Sequence, residues 1–211
     1  MRVYGEALVA DRRAQPGDDL LSTVVAGGLS DAELGAFFSL LFTAGSETTR
    51  NSIAGGVLAF MESPEEWGRL RSDRSLLASA VEEILRWTSA TAYNRRTATR
   101  DVELGGVTIS AGEKTTHWYP SANRDETVFA NPDRFDVGRD PNLHLAFGHG
   151  IHHCLGAPLA RMEIAVMLEA LLDHCAGLRA ARPGRVGTEQ QAHVDPPSAL
   201  GARRSLGWRR D

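Results

Sequence analysis

Phe147-Gly148-His149-Gly150-Ile151-His152-His153-Cys154-Leu155-Gly156 sets a cysteine inside a glycine-rich run, directly ahead of a helical pattern. Glycines let the backbone bend tightly and approach a flat ligand closely, and the helix that follows offers its N-terminal amides to a sulfur anion. A thiolate so placed, aimed by a bulge at a planar metal-bearing cofactor, suits an axial haem ligand. Two other chemistries stand beside it. His144, His149, His152, His153 and Cys154 carry enough nitrogen and sulfur donors for zinc, although three of them are adjacent and converge poorly on one tetrahedron. A Cys-His nucleophile pair is the second, with no third orienting group in view.

Downstream of this run, Leu159, Met162, Ile164, Val166, Leu168, Leu171 and Leu172 predict a helix that ends near Gly177. Upstream, Asn123 to Leu145 is rich in Asn, Asp, Pro and Arg and has no period, an irregular connection of a length that is uncommon unless functional. Before it, Arg96-Thr-Ala-Thr-Arg-Asp and then Val102-Glu-Leu-Gly105-Gly106-Val-Thr-Ile109 predict a β-hairpin on a two-glycine turn, followed by a short strand around Thr115 to Tyr119. Ser75 to Trp87 reads as an amphipathic helix, with Glu83 and Arg86 three apart. Ser30 and Glu33 form a capping-box pattern ahead of Leu34, Phe37, Phe38, Leu41 and Phe42, so a helix starts there. It can run to Ser63-Pro64, about 32 residues or roughly 48 Å, with a Ser-Pro-Glu-Glu start for the next helix. Within it, Ala44-Gly-Ser-Glu-Thr-Thr49 gathers weak helix formers that propensity alone does not place there. Residues 1–29 hold a short helical pattern around Leu8, a Pro16-Gly17-Asp18 break and an apolar patch from Leu20 to Val25.

The chain has 211 residues, 42% of them apolar and 24% charged, which fits one globular domain and excludes disordered, collagenous and coiled-coil classes. Its net charge of −4, without a long block of one sign, gives nucleic acid or an anionic membrane no footing. Two cysteines are too few for a disulfide scaffold, and no stretch approaches the roughly 18 apolar residues of a membrane span, so a cytoplasmic location is expected.

Four motifs in order, Ala44-Gly45-x-Glu47-Thr48-Thr49, Glu83-x-x-Arg86, Asn131-Pro-Asp-Arg134-Phe135 and Phe147-x-x-Gly150-x-x-x-Cys154-x-Gly156, resemble the C-terminal part of a bacterial cytochrome P450, a haem-thiolate monooxygenase. Over roughly Leu20 to Leu178 the resemblance implies a mainly α, α+β fold with long helices and a small β-hairpin region. It implies haem b, with Cys154 as the axial ligand of the iron and Phe147, Gly148, Gly150, Gly156, Ala44 and Gly45 around the ring. Arg96 and His152 fall where propionate donors belong, a role that charge-assisted hydrogen bonds explain. Glu83, Arg86 and Arg134 are implied as a structural ion network behind the haem. Reductive O–O cleavage takes up two protons, and Glu47 with Thr48 supplies an acid and a hydroxyl for that delivery.

The same resemblance implies hydroxylation of a small apolar substrate, lipid- or sterol-like by the look of Lys114 to Asp125, using O2. Electrons would come from a ferredoxin-type partner, since no Gly-x-Gly-x-x-Gly nucleotide motif is present. Leu40, Leu41, Ala44, Ala92 and Tyr93 are expected on the pocket wall. Two departures are small: Ala90 and Leu143 stand where the family commonly has proline. Larger ones are the family's N-terminal half, which has no counterpart here, and residues 183–211, an irregular tail whose Gly and Arg richness resembles a shifted reading frame. Residues 1–182 are therefore expected to form a partial haem-thiolate domain. The alternative is a truncated, non-catalytic remnant that does not hold haem stably.

Overall fold

A computed structural model describes residues 2–178, so the expected irregular tail lies outside the described residues. Within them the fold is mainly helical with two small sheets. Helix α1 (Arg2–Ala14) and helix α2 (Leu20–Ala26) precede a long helix α3 (Asp31–Glu62). The capping box forms as the pattern predicts: Glu33 accepts from the Ser30 amide at 2.9 Å, and Ser30 Oγ accepts from the Glu33 amide at 3.4 Å. Helix α4 (Pro64–Ser72) starts with proline in its first turn, but Ser63 makes no side-chain cap, because its backbone turns away at φ −128° and ψ 68°. After a short 3₁₀ turn comes helix α5 (Leu77–Thr88).

The N-terminal stretch is more ordered than its sparse pattern suggests. Asp19 caps α2 by accepting from the Ser22 amide at 2.7 Å and receives Arg12 Nε at 2.6 Å, which ties α1 to α2. The Tyr4 ring lies 6.3 Å from that of Phe38, so α1 covers part of α3, while Leu40, Leu41 and Phe42 stay exposed.

Strands β1 (Tyr93–Thr97), β2 (Val102–Leu104), β3 (Val107–Ile109) and β4 (Lys114–Trp118) follow. β2 and β3 form the hairpin, with Gly105 and Gly106 at φ +59° and +76°, values that a two-residue turn requires and that glycine adopts without strain. β4 pairs antiparallel with β1, Arg96 opposite Thr115, enclosing the hairpin. A single helical turn, α6 (Tyr119–Ala122), leads into the irregular segment, and helix α7 (Ala157–His174) ends the described chain.

The core lies where α3, α4, α5 and α7 meet. Ala59, Phe60, Trp67, Leu70, Val81, Ile84, Leu85, Ile164, Leu168 and Leu172 are buried together with Phe135 and Val137 of the irregular segment. Phe60 stands edge-on to both Trp67 and Phe135 at 5.2 Å. The four-residue spacing of Ile164, Leu168 and Leu172 explains which side of α7 is inside. Leu155, Leu159, Met162 and Val166 form a second apolar stripe that stays exposed. Among the described residues no helix is long and apolar enough to cross a membrane.

Close approach of α3 to α5 depends on glycine. A Cβ on Gly56 would lie 2.9 Å from three atoms of Ile84, and one on Gly55 2.6 Å from Thr88 Cγ2. Gly56→Ala should therefore destabilise the chain by about 1–3 kcal/mol through overpacking, despite the better helix propensity of alanine. Gly68→Ala on α4, where an added Cβ meets nothing within 4 Å, should stabilise by about 0.5–1 kcal/mol. Chemical denaturation of both variants checks the contrast in sign.

Candidate functional site

Cys154 sits at the foot of α7, three residues before Ala157, with its side chain exposed. Its amide donates to the Phe147 carbonyl at 2.9 Å and closes the glycine loop. Gly148 and Gly150 hold φ of +70° and +72°, and a Cβ on Gly148 would press on Tyr119 Oη at 3.3 Å. Gly156 caps α7, and a Cβ there would stand 4.0 Å from Cys154 Sγ. Ile151, 98% exposed, and Leu155 add exposed apolar surface to the loop, and His152 is exposed as well. Among the described residues no three His, Cys, Asp or Glu side chains converge as a metal cluster. The zinc alternative therefore has no site there.

The loop fits a haem iron by its donor chemistry. It offers one unencumbered sulfur and glycine backbone that a ring can approach, with apolar Ile151 and Leu155 exposed alongside the histidines of the loop. Arg96, exposed on β1, donates to the carbonyl of Arg95 at 3.0 Å. Its guanidinium thus keeps donors for an anionic group.

The oxygen-motif residues lie on an unbroken α3. Hydroxyls of Ser39, Thr43 and Thr48 donate to the carbonyls of Gly35, Ser39 and Ala44 at 2.9, 2.6 and 2.8 Å, and in this way the helix accommodates its weak formers. Thr48 and Glu47 do not touch. Glu47, 61% exposed, lies 3.7 Å from Arg50. Nothing within 4 Å would meet a Cβ on Gly45, and Ala44 is exposed beside it. Thr49, on the next face, is buried in a cleft of about 410 Å³ between α3 and α7 that Gly45, Ile53, Glu163 and Met167 also line.

Behind the loop, Glu83 and Arg86 form a fully buried two-bond pair at 2.7 and 2.8 Å. Arg86 also donates to the carbonyls of Asn123, Pro132 and Arg134 at 2.8, 2.8 and 3.1 Å. Arg134 joins this network through its backbone, while its guanidinium, 63% exposed, reaches Glu66 at 3.5 Å. The second arginine on Glu83 is Arg139, at 3.0 Å, and Asn142 adds a further donor at 3.1 Å. Sequence reasoning missed both, because they lie in a segment with no period to orient them.

Glu82, the neighbour of Glu83, faces the other way and was also missed. It accepts from Arg161 of α7 at 2.6 and 3.0 Å and from His144 at 2.9 Å. His144 Nδ1 accepts from the Ala146 amide at 3.3 Å, so the ring proton on Nε2 points at Glu82. Partial burial opposes ionisation of Glu82, but the hydrogen bonds from His144 and Arg161 and the charge of the guanidinium outweigh it and bring the carboxyl down to about 2. The Arg161 guanidinium is raised, first by its hydrogen bond to Glu82, against desolvation, and to a lesser degree by the charges of Glu82 and Cys154.

Two outcomes follow. Arg86→Met should cost about 3–5 kcal/mol by leaving buried partners uncompensated, whereas Arg134→Met should cost less than about 1 kcal/mol, both read from denaturation midpoints. The lowered Glu82 carboxyl contributes stability at and above its ordinary value of 4.5 that is lost as pH falls towards about 2. The stability gap between the parent chain and Glu82→Gln should therefore narrow across that window in acid titrations of the unfolding midpoint.

Residues 11–178 match the family described as cytochrome P450. Cytochrome P450 126 of Mycobacterium tuberculosis is 53% identical over 85% of this chain and 45% of its own length. A methyl-branched lipid omega-hydroxylase of the same organism is 48% identical over 90% of this chain and 45% of its own. The crystal structure of CYP109E1 from Bacillus megaterium in complex with corticosterone superposes with a TM-score of 0.76 at 40% identity, covering 82% of this chain and 48% of that one. The chain spans about half the length of the relatives it matches. The match over nearly all the described residues, in sequence and in backbone, shows that this chain belongs to the cytochrome P450 family, whose members carry a haem iron.

Proposed function

We propose that the chain is the haem-binding portion of a P450 monooxygenase that hydroxylates a small apolar substrate with O2. The observation that carries this reading is the exposed Cys154 sulfur, set at the start of α7 by a loop whose amide-to-carbonyl closure and two positive-φ glycines leave one face open. Haem b, when bound, supplies oxygen activation: one oxygen atom goes to the substrate and the other, with two protons and two electrons, to water.

The chain's residues divide the remaining work. Cys154 holds the iron, and Arg96 and His152 offer donors to the propionates. Thr48 spends its own proton on the Ala44 carbonyl, so its oxygen is left to accept from a water and orient it. Glu47, on the same helix and open to solvent, replenishes protons. Ala44 and Gly45 keep the helix surface free of side-chain bulk. An apolar substrate would meet Leu40, Leu41 and Ala44, with Ala92 and Tyr93 at the edge of β1. A relative named for methyl-branched lipids and a neighbour solved with corticosterone both favour a lipid- or sterol-like molecule. Electrons come from a ferredoxin-type donor, in the cytoplasm.

Haem reconstitution tests the reading. The reduced carbon monoxide complex should show the strongly red-shifted Soret band of thiolate ligation, Cys154→Ser should abolish it, and Cys175→Ser should leave it unchanged. Thr48→Ala should keep the band and divert electrons to peroxide or water, with the coupled step falling about 10²- to 10⁴-fold. A reconstituted parent chain without a Soret band would favour the non-catalytic remnant. Full product yield per electron in Thr48→Ala would return the cluster on α3 to a polar patch.

A further inference from the structure

Arg161 joins three features that the proposed reaction leaves unexplained. Its guanidinium is clamped by both oxygens of Glu82, and His144 fixes Glu82 from the far side. Its guanidinium carbon lies over the Phe147 ring, 4.7 Å from the centroid, a cation–π distance. Phe147 in turn gives its carbonyl to the Cys154 amide at 2.9 Å. The Phe147 ring is bracketed by His144 at 6.0 Å and His153 at 6.2 Å. Helix α5 and helix α7 thus grip the loop through one planar cation, and the grip ends one hydrogen bond from the sulfur-bearing residue.

We propose that Arg161, clamped by Glu82 and His144, is a positioning residue that holds Phe147 against the Cys154 amide and so fixes the direction and electron donation of the Cys154 sulfur. The proposal rests on the haem-thiolate reading for its second half alone. A guanidinium suits the position because two of its nitrogens donate to the two oxygens of Glu82 while its carbon stands over the ring, a combination that an ammonium reproduces less well. A cation held near a thiolate also withdraws electron density from it, so loss of the cation should make the bound iron harder to reduce.

The experiment has two arms on the full chain. In the haem-free chain, hydrogen exchange of the Cys154 amide should speed up about tenfold in Arg161→Met while Arg161→Lys, which keeps a cation, falls between that variant and the parent. In the haem-loaded chain, Arg161→Met should lower the midpoint potential and convert part of the carbon monoxide Soret band to the unligated-thiolate form, with Arg161→Lys closer to the parent in both. Unchanged exchange in Arg161→Met overturns the proposal whether or not haem binds. Faster exchange with an unchanged potential and Soret band overturns the part that concerns the sulfur. A parent chain that takes up no haem removes the haem-thiolate reading, and the exchange arm then decides the clamp by itself. Should Arg161→Met exchange globally, Glu82→Gln, which retains the fold's packing and weakens the clamp from its other side, is read in the same two arms, and its parent-like behaviour in both overturns the proposal.

Discussion

The buried carboxylate of Glu83 is the point on which the described chain is assembled. It accepts from Arg86 twice, from Arg139, from Asn142 and from the Asp136 amide. A charge taken wholly out of water is costly unless its lone pairs are filled, and here the donors come from α5 itself and from residues 136–142 of the irregular segment. The arginines it holds then spend their remaining donors on backbone. Arg86 serves the carbonyls of Asn123, Pro132 and Arg134, and Arg139 those of Ala130, Asn131 and Arg134. That supplies partners to carbonyls of a long stretch without regular secondary structure, which its own scattered turns leave without a ladder. Order in the segment between β4 and the cysteine loop is therefore borrowed from α5.

Two consecutive glutamates on α5 then determine where the loop begins and ends. Successive residues on a helix point about 100° apart, so Glu83 turns into the irregular segment while Glu82 turns to α7. On the Glu83 side, the fully buried Asn123 receives the Leu145 amide at 2.7 Å, two residues before Phe147. On the Glu82 side, Arg161 is seized from α7, two turns beyond Cys154. The loop is pinned at entry and exit by one helix, and α5 itself is brought close to α3 because Gly55 and Gly56 present no side chains.

What was legible in the sequence was what local chemistry decides. The capping box at Ser30, the proline at the start of α4, the two glycines of the hairpin and the helical period of α5 each predict their element from a few neighbouring residues. The partner of Glu83 is a different kind of question. Arg134 and Arg139 flank the same buried Phe135 and Val137, and nothing in their spacing says which guanidinium turns inward. The fold decides it by giving Arg134's carbonyl to the network and its side chain to the surface. Glu82 was hidden for a related reason: beside a motif glutamate it reads as a solvated helix face, and only the distant Arg161 and His144 give it a role. The pairing of β1 with β4 was equally non-local, since the hairpin between them is the stronger local signal.

On α3 the hydrogen-bonding demands of the helix and the proton relay proposed for the same cluster fall on different atoms. Ser and Thr weaken a helix by offering competing hydrogen bonds, yet here Ser39, Thr43 and Thr48 direct those bonds to carbonyls four residues back and the helix runs through intact. Thr49 is buried on the side that faces α7, in the cleft that Glu163 and Met167 also line. Thr48 lies one residue earlier, half-exposed, with its proton already committed and its lone pairs open. A patch required only for packing would need Thr49 and would be indifferent to Thr48. The hydroxyl oriented away from the core is the one that packing does not explain.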